Sequence, residues 1–283
     1  MFYEQPDKSP LMIPVKGEMR RYTVCAIFIA VWMICGWCLP QGTDIYLFLG
    51  IPLVMVFQLV IARRPIQQLW VRDGGAFRLD RIGVGLAAVL MLVPAVNLMK
   101  NWHSLKIELG FVCALIGAIP AAFALRRQTK EGIRRGLLSF VAVIVLSFSY
   151  SVTRALIDGR SILFSLDRLP LFADQFFVMF TECFVVEELV FRGAIDTYLA
   201  PVSGDPSRRW MSAVFVSSLW GLWHLPLNHP TVQEIPLTVV IVLFASILIG
   251  VPLSFCWRRS GTLVLPTAAH ALIDCYRNMI AGT

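Results

Sequence analysis

Charged side chains are scarce in this chain: Asp, Glu, Lys and Arg make up 15% of its 283 residues, against about 25% in an ordinary globular domain. So few charges cannot clothe a water-facing surface, which excludes a soluble globular protein. Histidine is scarcer still, at four residues, and the sequence holds no His-Glu-x-x-His, the usual helical zinc-protease motif. No repeat, low-complexity tract or polar linker divides the chain, so residues 1–283 read as a single integral membrane domain. No small-x-small cleavage site follows the first apolar run; Cys35, Gly36, Trp37, Cys38 and Leu39 stand there instead. That run, after the polar opening Met1 to Arg21, reads as a retained signal anchor.

Apolar length is abundant, with 57% hydrophobic residues and a mean hydropathy of +0.71. A helix rising about 1.5 Å per residue needs about 20 mostly apolar residues to cross roughly 30 Å of hydrocarbon. Nine segments qualify as candidate crossings: Tyr22 to Leu39, Ile45 to Ala62, Ile82 to Met99, Ile107 to Leu125, Gly136 to Leu156, Leu169 to Leu199, Trp210 to Leu225, Ile235 to Trp257 and Thr262 to Ala281. The fold class that follows is all-α, a polytopic transmembrane helix bundle of about eight or nine crossings, eight if one early segment fails to span. Arg63 to Arg81, charged but carrying Trp70, Val71 and Phe77, suits a cytoplasmic loop or a short interfacial helix.

The net charge of +7 does not point to nucleic acid, because the basic residues sit in short clusters between apolar runs and line no amphipathic face. Topology explains them better. With the N-terminus inside and sides alternating, 18 of the 25 Lys and Arg fall inside, six, including Lys106 and Arg160, fall outside, and Arg192 lies within a crossing. Positive residues concentrate on the cytoplasmic side of short loops, so this bias places the N-terminus in the cytoplasm.

Three glutamates and an arginine interrupt the sixth apolar segment, in the run Thr181-Glu182-Cys183-Phe184-Val185-Val186-Glu187-Glu188-Leu189-Val190-Phe191-Arg192. A charge near mid-bilayer costs at least about 2.5 to 3.5 kcal/mol, so ionisable residues there are functional candidates, with a buried structural ion network as the plainer reading. Glu188 and Arg192, four apart, share a helix face and can pair, which leaves Glu187 free. In the seventh segment Trp220 lies one turn before His224 and can brace its ring, and Pro226 should end the helix just beyond. In the ninth, His270 and Asp274 stand at i and i+4, a spacing that lets the carboxylate fix which ring nitrogen faces the site. Measured from one membrane side at about 1.5 Å per residue, Glu187, His224 and His270 lie roughly 20, 21 and 15 Å deep, so they can meet in one layer.

These residues resemble the CPBP group of intramembrane proteases, which includes the CAAX-processing endopeptidases and bacteriocin-related membrane proteins. The group's three ordered motifs, Glu-Glu-x-x-x-Arg, Phe-x-x-x-His and His-x-x-x-Asn/Asp, are matched by Glu187-Glu188 with Arg192, Trp220 with His224, and His270 with Asp274. Trp for Phe in the second reads as a change of apolar bulk. The resemblance covers about Phe180 to Ile280; it implies a catalytic core over residues 166–283, with variable N-terminal helices over residues 1–165. It implies a glutamate-dependent endopeptidase without a cofactor, residing in a bacterial inner membrane. Glu187 would act as general base on a water, and the two histidines would position that water or stabilise the oxyanion. Glu188 and Arg192 would hold the field around Glu187, and Asp274 would orient His270.

Two histidines and one carboxylate also make a catalytic zinc set, so Glu187, His224 and His270 stand as a metal-binding alternative. His229, in Asn228-His229-Pro230, reads as a loop residue rather than a fourth ligand. The expected partners are the lipid bilayer and a membrane-associated peptide or protein substrate, such as a prenylated tail, a leader peptide or an anchored sorting tail. Two other function classes compete: a non-catalytic membrane scaffold or immunity protein, and a proton-coupled transporter, though no matched pair of broken helices supports transport. Cys35 and Cys38 copy a redox spacing without the strand-helix-strand context that such chemistry uses, and read as structural or incidental. Cys25, Cys113, Cys183, Cys256 and Cys275 read as small apolar residues, and Gly110, Gly117 and Gly221 as points of close helix approach.

Overall fold

A computed structural model describes residues 16–39, 45–101, 109–157, 159, 168–200 and 205–281. Lys106 and Arg160, used in the topology argument, lie outside these, as does Lys8 among the 18 basic residues assigned inside, and as does Ile107, the expected start of the fourth segment. Among the described residues the fold is all-α, with no strand. Nine helices account for it: α1 (Lys16–Cys38), α2 (Ile45–Ile61), α3 (Arg81–Asn101), α4 (Leu109–Arg127), α5 (Lys130–Ile157), α6 (Leu169–Leu199), α7 (Pro206–Trp223), α8 (Ile235–Ser260) and α9 (Val264–Ala281). Each coincides with one of the nine apolar segments.

Six of them, α1, α3, α4, α5, α6 and α8, are long and apolar enough to cross a membrane. The other three miss that measure for readable reasons. α2 is short, α7 opens on Ser207, Arg208 and Arg209, and α9 carries Thr267, His270, Asp274 and Arg277. α7 thus falls short through the polar residues at its exposed start, and α9 because it brings Thr267, His270 and Asp274 into the bundle.

The burial pattern is that of a protein solvated by lipid. Large apolar side chains face outward, as with Leu138 at 73% exposure, Val240 at 64% and Leu92 at 62%. Glu188, Arg192 and Asp196 are fully buried. α6 runs through the middle, touching α2, α3, α4, α7, α8 and α9, while α8 packs against α5 and α7. Small residues permit these approaches. A Cβ on Gly117 of α4 would collide with the Thr181 carbonyl of α6, and one on Gly221 of α7 would lie 2.8 Å from the Val242 carbonyl of α8. At Gly110 a Cβ would come within 3.0 Å of the Glu182 carboxylate.

The segment between α2 and α3 is more ordered than a plain loop. A 3-10 turn, Ile66–Leu69, leads into an antiparallel bridge between Val71 and Thr262. The Leu263 amide donates to the Trp70 carbonyl at 3.0 Å, and Trp70, Phe77 and Phe123 form an aromatic cluster. Leu69 and Val71 are buried. Arg72 donates to the Arg258 carbonyl at 2.9 Å, and Arg258 in turn donates to the buried Asp196 carboxylate through Nε at 2.9 Å. The basic end of the bundle is therefore cross-braced between α6, α8 and this segment.

Candidate active site

The site begins with a change of helical winding. α6 is α-helical from Leu169 to Cys183, then π-helical over Phe184–Asp196. A π turn closes i to i+5, admits an extra residue per turn, and is frequently met at functional sites. The consecutive carboxylates Glu187 and Glu188 both lie in this π-helical stretch. Glu188 turns into the bundle interior and is wholly buried, whereas the side chain of Glu187 keeps 16% exposure. Neighbouring carboxylates so acquire different surroundings.

Glu187, His224 and His270 do converge. Glu187 Oε2 lies 3.7 Å from Nε2 of His224 and 3.9 Å from Nε2 of His270. His224 is the residue that ends α7, and a separate turn, Leu225–Asn228 with Pro226 near its start, follows it. Its Nδ1 donates to the Trp220 carbonyl at 2.7 Å, an oxygen that can only accept, so Nε2 is the nitrogen turned to Glu187. His270 is fixed in the same sense: its Nδ1 donates to Glu188 Oε1 at 2.8 Å and its Nε2 faces Glu187. Glu188 also lies 3.5 Å from Nη1 of Arg192, whose side chain is equally buried. The guanidinium of Arg192 stacks over the Trp220 ring, with Cζ 4.7 Å from its centroid.

Two expectations need correction. Asp274 was to set the tautomer of His270, but its Oδ2 is 3.6 Å from Nε2, beyond hydrogen-bond range, and Glu188 holds Nδ1 instead. The i, i+4 spacing does bring Asp274 beside the ring. Its two oxygens are engaged elsewhere: Arg277 approaches Oδ1 at 3.0 Å and the Cys183 thiol approaches Oδ2 at 3.5 Å. Trp220 is also more than bulk, since its indole N–H donates to Glu187 Oε2 at 2.6 Å, a bond that Phe could not make.

Other contributors left no mark in the sequence. The Tyr46 hydroxyl of α2 donates to the Trp223 carbonyl at 2.9 Å, its ring stacks on Trp223, and the Trp32 indole of α1 donates to the Tyr46 carbonyl at 3.0 Å. The end of α7 that carries His224 is thus held by two N-terminal helices with no motif of their own. Cys183 was read as a small apolar residue, yet it touches Asp274. No disulfide joins any of the seven cysteines among the described residues, and Cys35 and Cys38 are exposed. His229 occupies a left-handed turn position after Leu225–Asn228, as a loop residue would.

The zinc alternative also looks different in three dimensions. Among the described residues, the donors that lie within 4.8 Å of one another are Cys183, His270 and Asp274 rather than Glu187, His224 and His270.

Residues 170–276 match the family model of the Rce1-like type II CAAX prenyl endopeptidases. The matched stretch runs from the start of α6 into α9 and contains Glu187, Glu188, Arg192, His224, His270 and Asp274. This is consistent with a CPBP family protease, and it supports a membrane-embedded endopeptidase of the CAAX type with a membrane-associated substrate. No curated protein and no solved structure matches the chain.

Proposed function

We propose that the chain hydrolyses a peptide bond of a membrane-associated or lipid-anchored substrate by means of a water activated by Glu187. The observation that carries this reading is the convergence of Glu187 Oε2 with Nε2 of His224 and Nε2 of His270, at 3.7 and 3.9 Å, from three separate helices. Spans of that length suit one bridging water or a carbonyl oxygen. Glu187 removes a proton from the water, the water oxygen bonds to the carbonyl carbon, and the carbonyl π electrons move to its oxygen. Collapse of that oxyanion expels the amine, which takes the proton that Glu187 had received.

A histidine that stabilises the oxyanion must donate from Nε2 while Nδ1 is already committed, so it acts as the doubly protonated ring. His270 stands where such a cation is balanced: Glu187, Glu188 and Asp274 bring three negative charges, against which Arg192 and Arg277 supply two positive ones. The Trp220 indole keeps Glu187 aimed at the shared space. The bias of Lys and Arg toward one set of loop ends supports an N-terminus on the cytoplasmic side.

The test uses purified protein in detergent, a panel of membrane-anchored peptides, and the wild type beside Glu187→Gln, each with and without chelator. A positioned general base contributes about 10²- to 10⁴-fold, so Glu187→Gln should lose that much while chelator changes nothing. Loss of wild-type cleavage on chelation moves the assignment to a zinc metalloprotease. Equal cleavage by wild type and Glu187→Gln removes the glutamate reading, and cleavage by neither leaves a membrane scaffold.

A further inference from the structure

We propose that Cys183, Asp274 and Nε2 of His270 form a site for a thiophilic divalent cation such as zinc, and that occupancy switches the peptidase off. The switching half of the proposal rests on the reading of Glu187 and His270 given above; the binding half does not. Sulfur, imidazole nitrogen and carboxylate oxygen are the donor types zinc takes, at about 2.3, 2.0 and 2.1 Å, and tetrahedral geometry then sets neighbouring donors about 3.3 to 3.6 Å apart. The structure holds two of the three edges near that length. Cys183 Sγ is 3.5 Å from Asp274 Oδ2, and His270 Nε2 is 3.6 Å from the same oxygen, with all three donors within 4.8 Å of one another.

The surroundings are those of a metal site in their second layer. A ligating imidazole usually donates its other ring nitrogen to a carboxylate, which fixes the ring and strengthens the donor. Glu188 Oε1 does so at Nδ1 of His270, at 2.8 Å. Arg277 approaches Oδ1 of Asp274 at 3.0 Å, so the oxygen directed at Cys183 and His270 is the other one. All three donors are buried. On binding, the Cys183 thiol and Nε2 of the doubly protonated His270 ring each give a proton to solvent, and the metal takes the place of the S–H contact with Asp274. The same event consumes Nε2 of His270, the nitrogen that faces Glu187 at 3.9 Å. A ring tied to a metal there cannot donate to an oxyanion.

The exposed pair Cys35 and Cys38 could hold cations of its own, so the test uses the full chain carrying Cys35→Ser and Cys38→Ser. Cobalt(II) titrated into this protein in detergent should give one equivalent with thiolate-to-cobalt charge-transfer absorption, and Cys183→Ala should abolish that absorption. With a cleavable membrane peptide, zinc should inhibit the parent, and Cys183→Ala should raise the half-inhibiting concentration by at least about tenfold, since even outer-layer partners change metal affinity by 10- to 100-fold. Zinc-free cleavage by Cys183→Ala and by the closer replacement Cys183→Ser, each beside the parent, checks that the variants fold. Absence of thiolate absorption in the parent, or the same spectrum in Cys183→Ala, overturns the site. A peptidase that needs the metal overturns the switch. If no peptide is cleaved by any form, the catalytic reading has failed, and the cobalt spectrum still decides the metal site.

Discussion

Replacing Glu188 with Gln keeps the shape of the side chain and removes its charge, and two buried groups feel the loss. Arg192, wholly buried, has Nη1 3.5 Å from Glu188 Oε1. At an effective dielectric of about 20, two unit charges at that separation attract by roughly 5 kcal/mol. Measured losses on removing one partner of a buried pair run to about 3 to 5 kcal/mol, because the survivor stays uncompensated. The Trp220 ring beneath Arg192 offsets part of this, by up to about 2 kcal/mol for a desolvated cation. Glu188→Gln should therefore destabilise by about 3 kcal/mol, read as a lower denaturant midpoint in detergent. Glu188→Gln combined with Arg192→Met removes both charges and should recover most of that stability. Activity should not recover. His270 still lacks the carboxylate that fixes its Nδ1 proton, and peptide cleavage should stay down by about 10²- to 10⁴-fold. Unchanged stability in the single variant, or a double variant as unstable as the single, would refute the assignment of Glu188 as counter-charge to Arg192.

Trp220→Phe, which restores the residue of the family motif, removes the indole donor to Glu187 and should lower kcat/KM by about tenfold, equivalent to about 1.4 kcal/mol; a rate at or above wild type would show that the bond does not aim the base. Tyr46→Phe leaves the stacked ring and strands the Trp223 carbonyl, at about 1 to 3 kcal/mol of stability, which unfolding in detergent would register alongside a drop in cleavage from a displaced His224. Outside the membrane, the Arg126 guanidinium and then the Gly83 amide hold the Asp80 carboxyl down at about 2, against an ordinary 3.8. Because the folded value is the depressed one, the contribution of Asp80 is fully present above the ordinary value and fades as pH falls towards about 2. The stability difference between wild type and Asp80→Asn should follow that course, and a difference independent of pH would contradict it.

How much could be read beforehand differs from element to element. The nine apolar segments became nine helices, and six of these have the length and apolar composition that a bilayer demands of a crossing, which the chain declares locally. Depth along those segments was legible to within about a turn, since rise per residue turns sequence position into height, and Glu187, His224 and His270 lie together despite the π winding around Glu187. Direction around a helix axis was not. Glu188 and Arg192 do approach each other as a pair, but the π winding of Phe184–Asp196 is not announced by any residue in the run. His270 consequently has Glu188 at its Nδ1, from a helix 82 positions away in the chain, rather than its own neighbour Asp274.

Composition and motif order by themselves determined that this protein lives in lipid, that its helices are apolar cylinders, and which few polar residues are expensive enough to require a purpose. Each of those follows from a cost paid residue by residue. Which nitrogen faces which oxygen, the hold of Tyr46 on the end of α7, the donor role of Trp220 and the meeting of Cys183 with Asp274 were decided only by tertiary structure. They depend on distances between groups remote in sequence, and such distances exist only after the helices have packed.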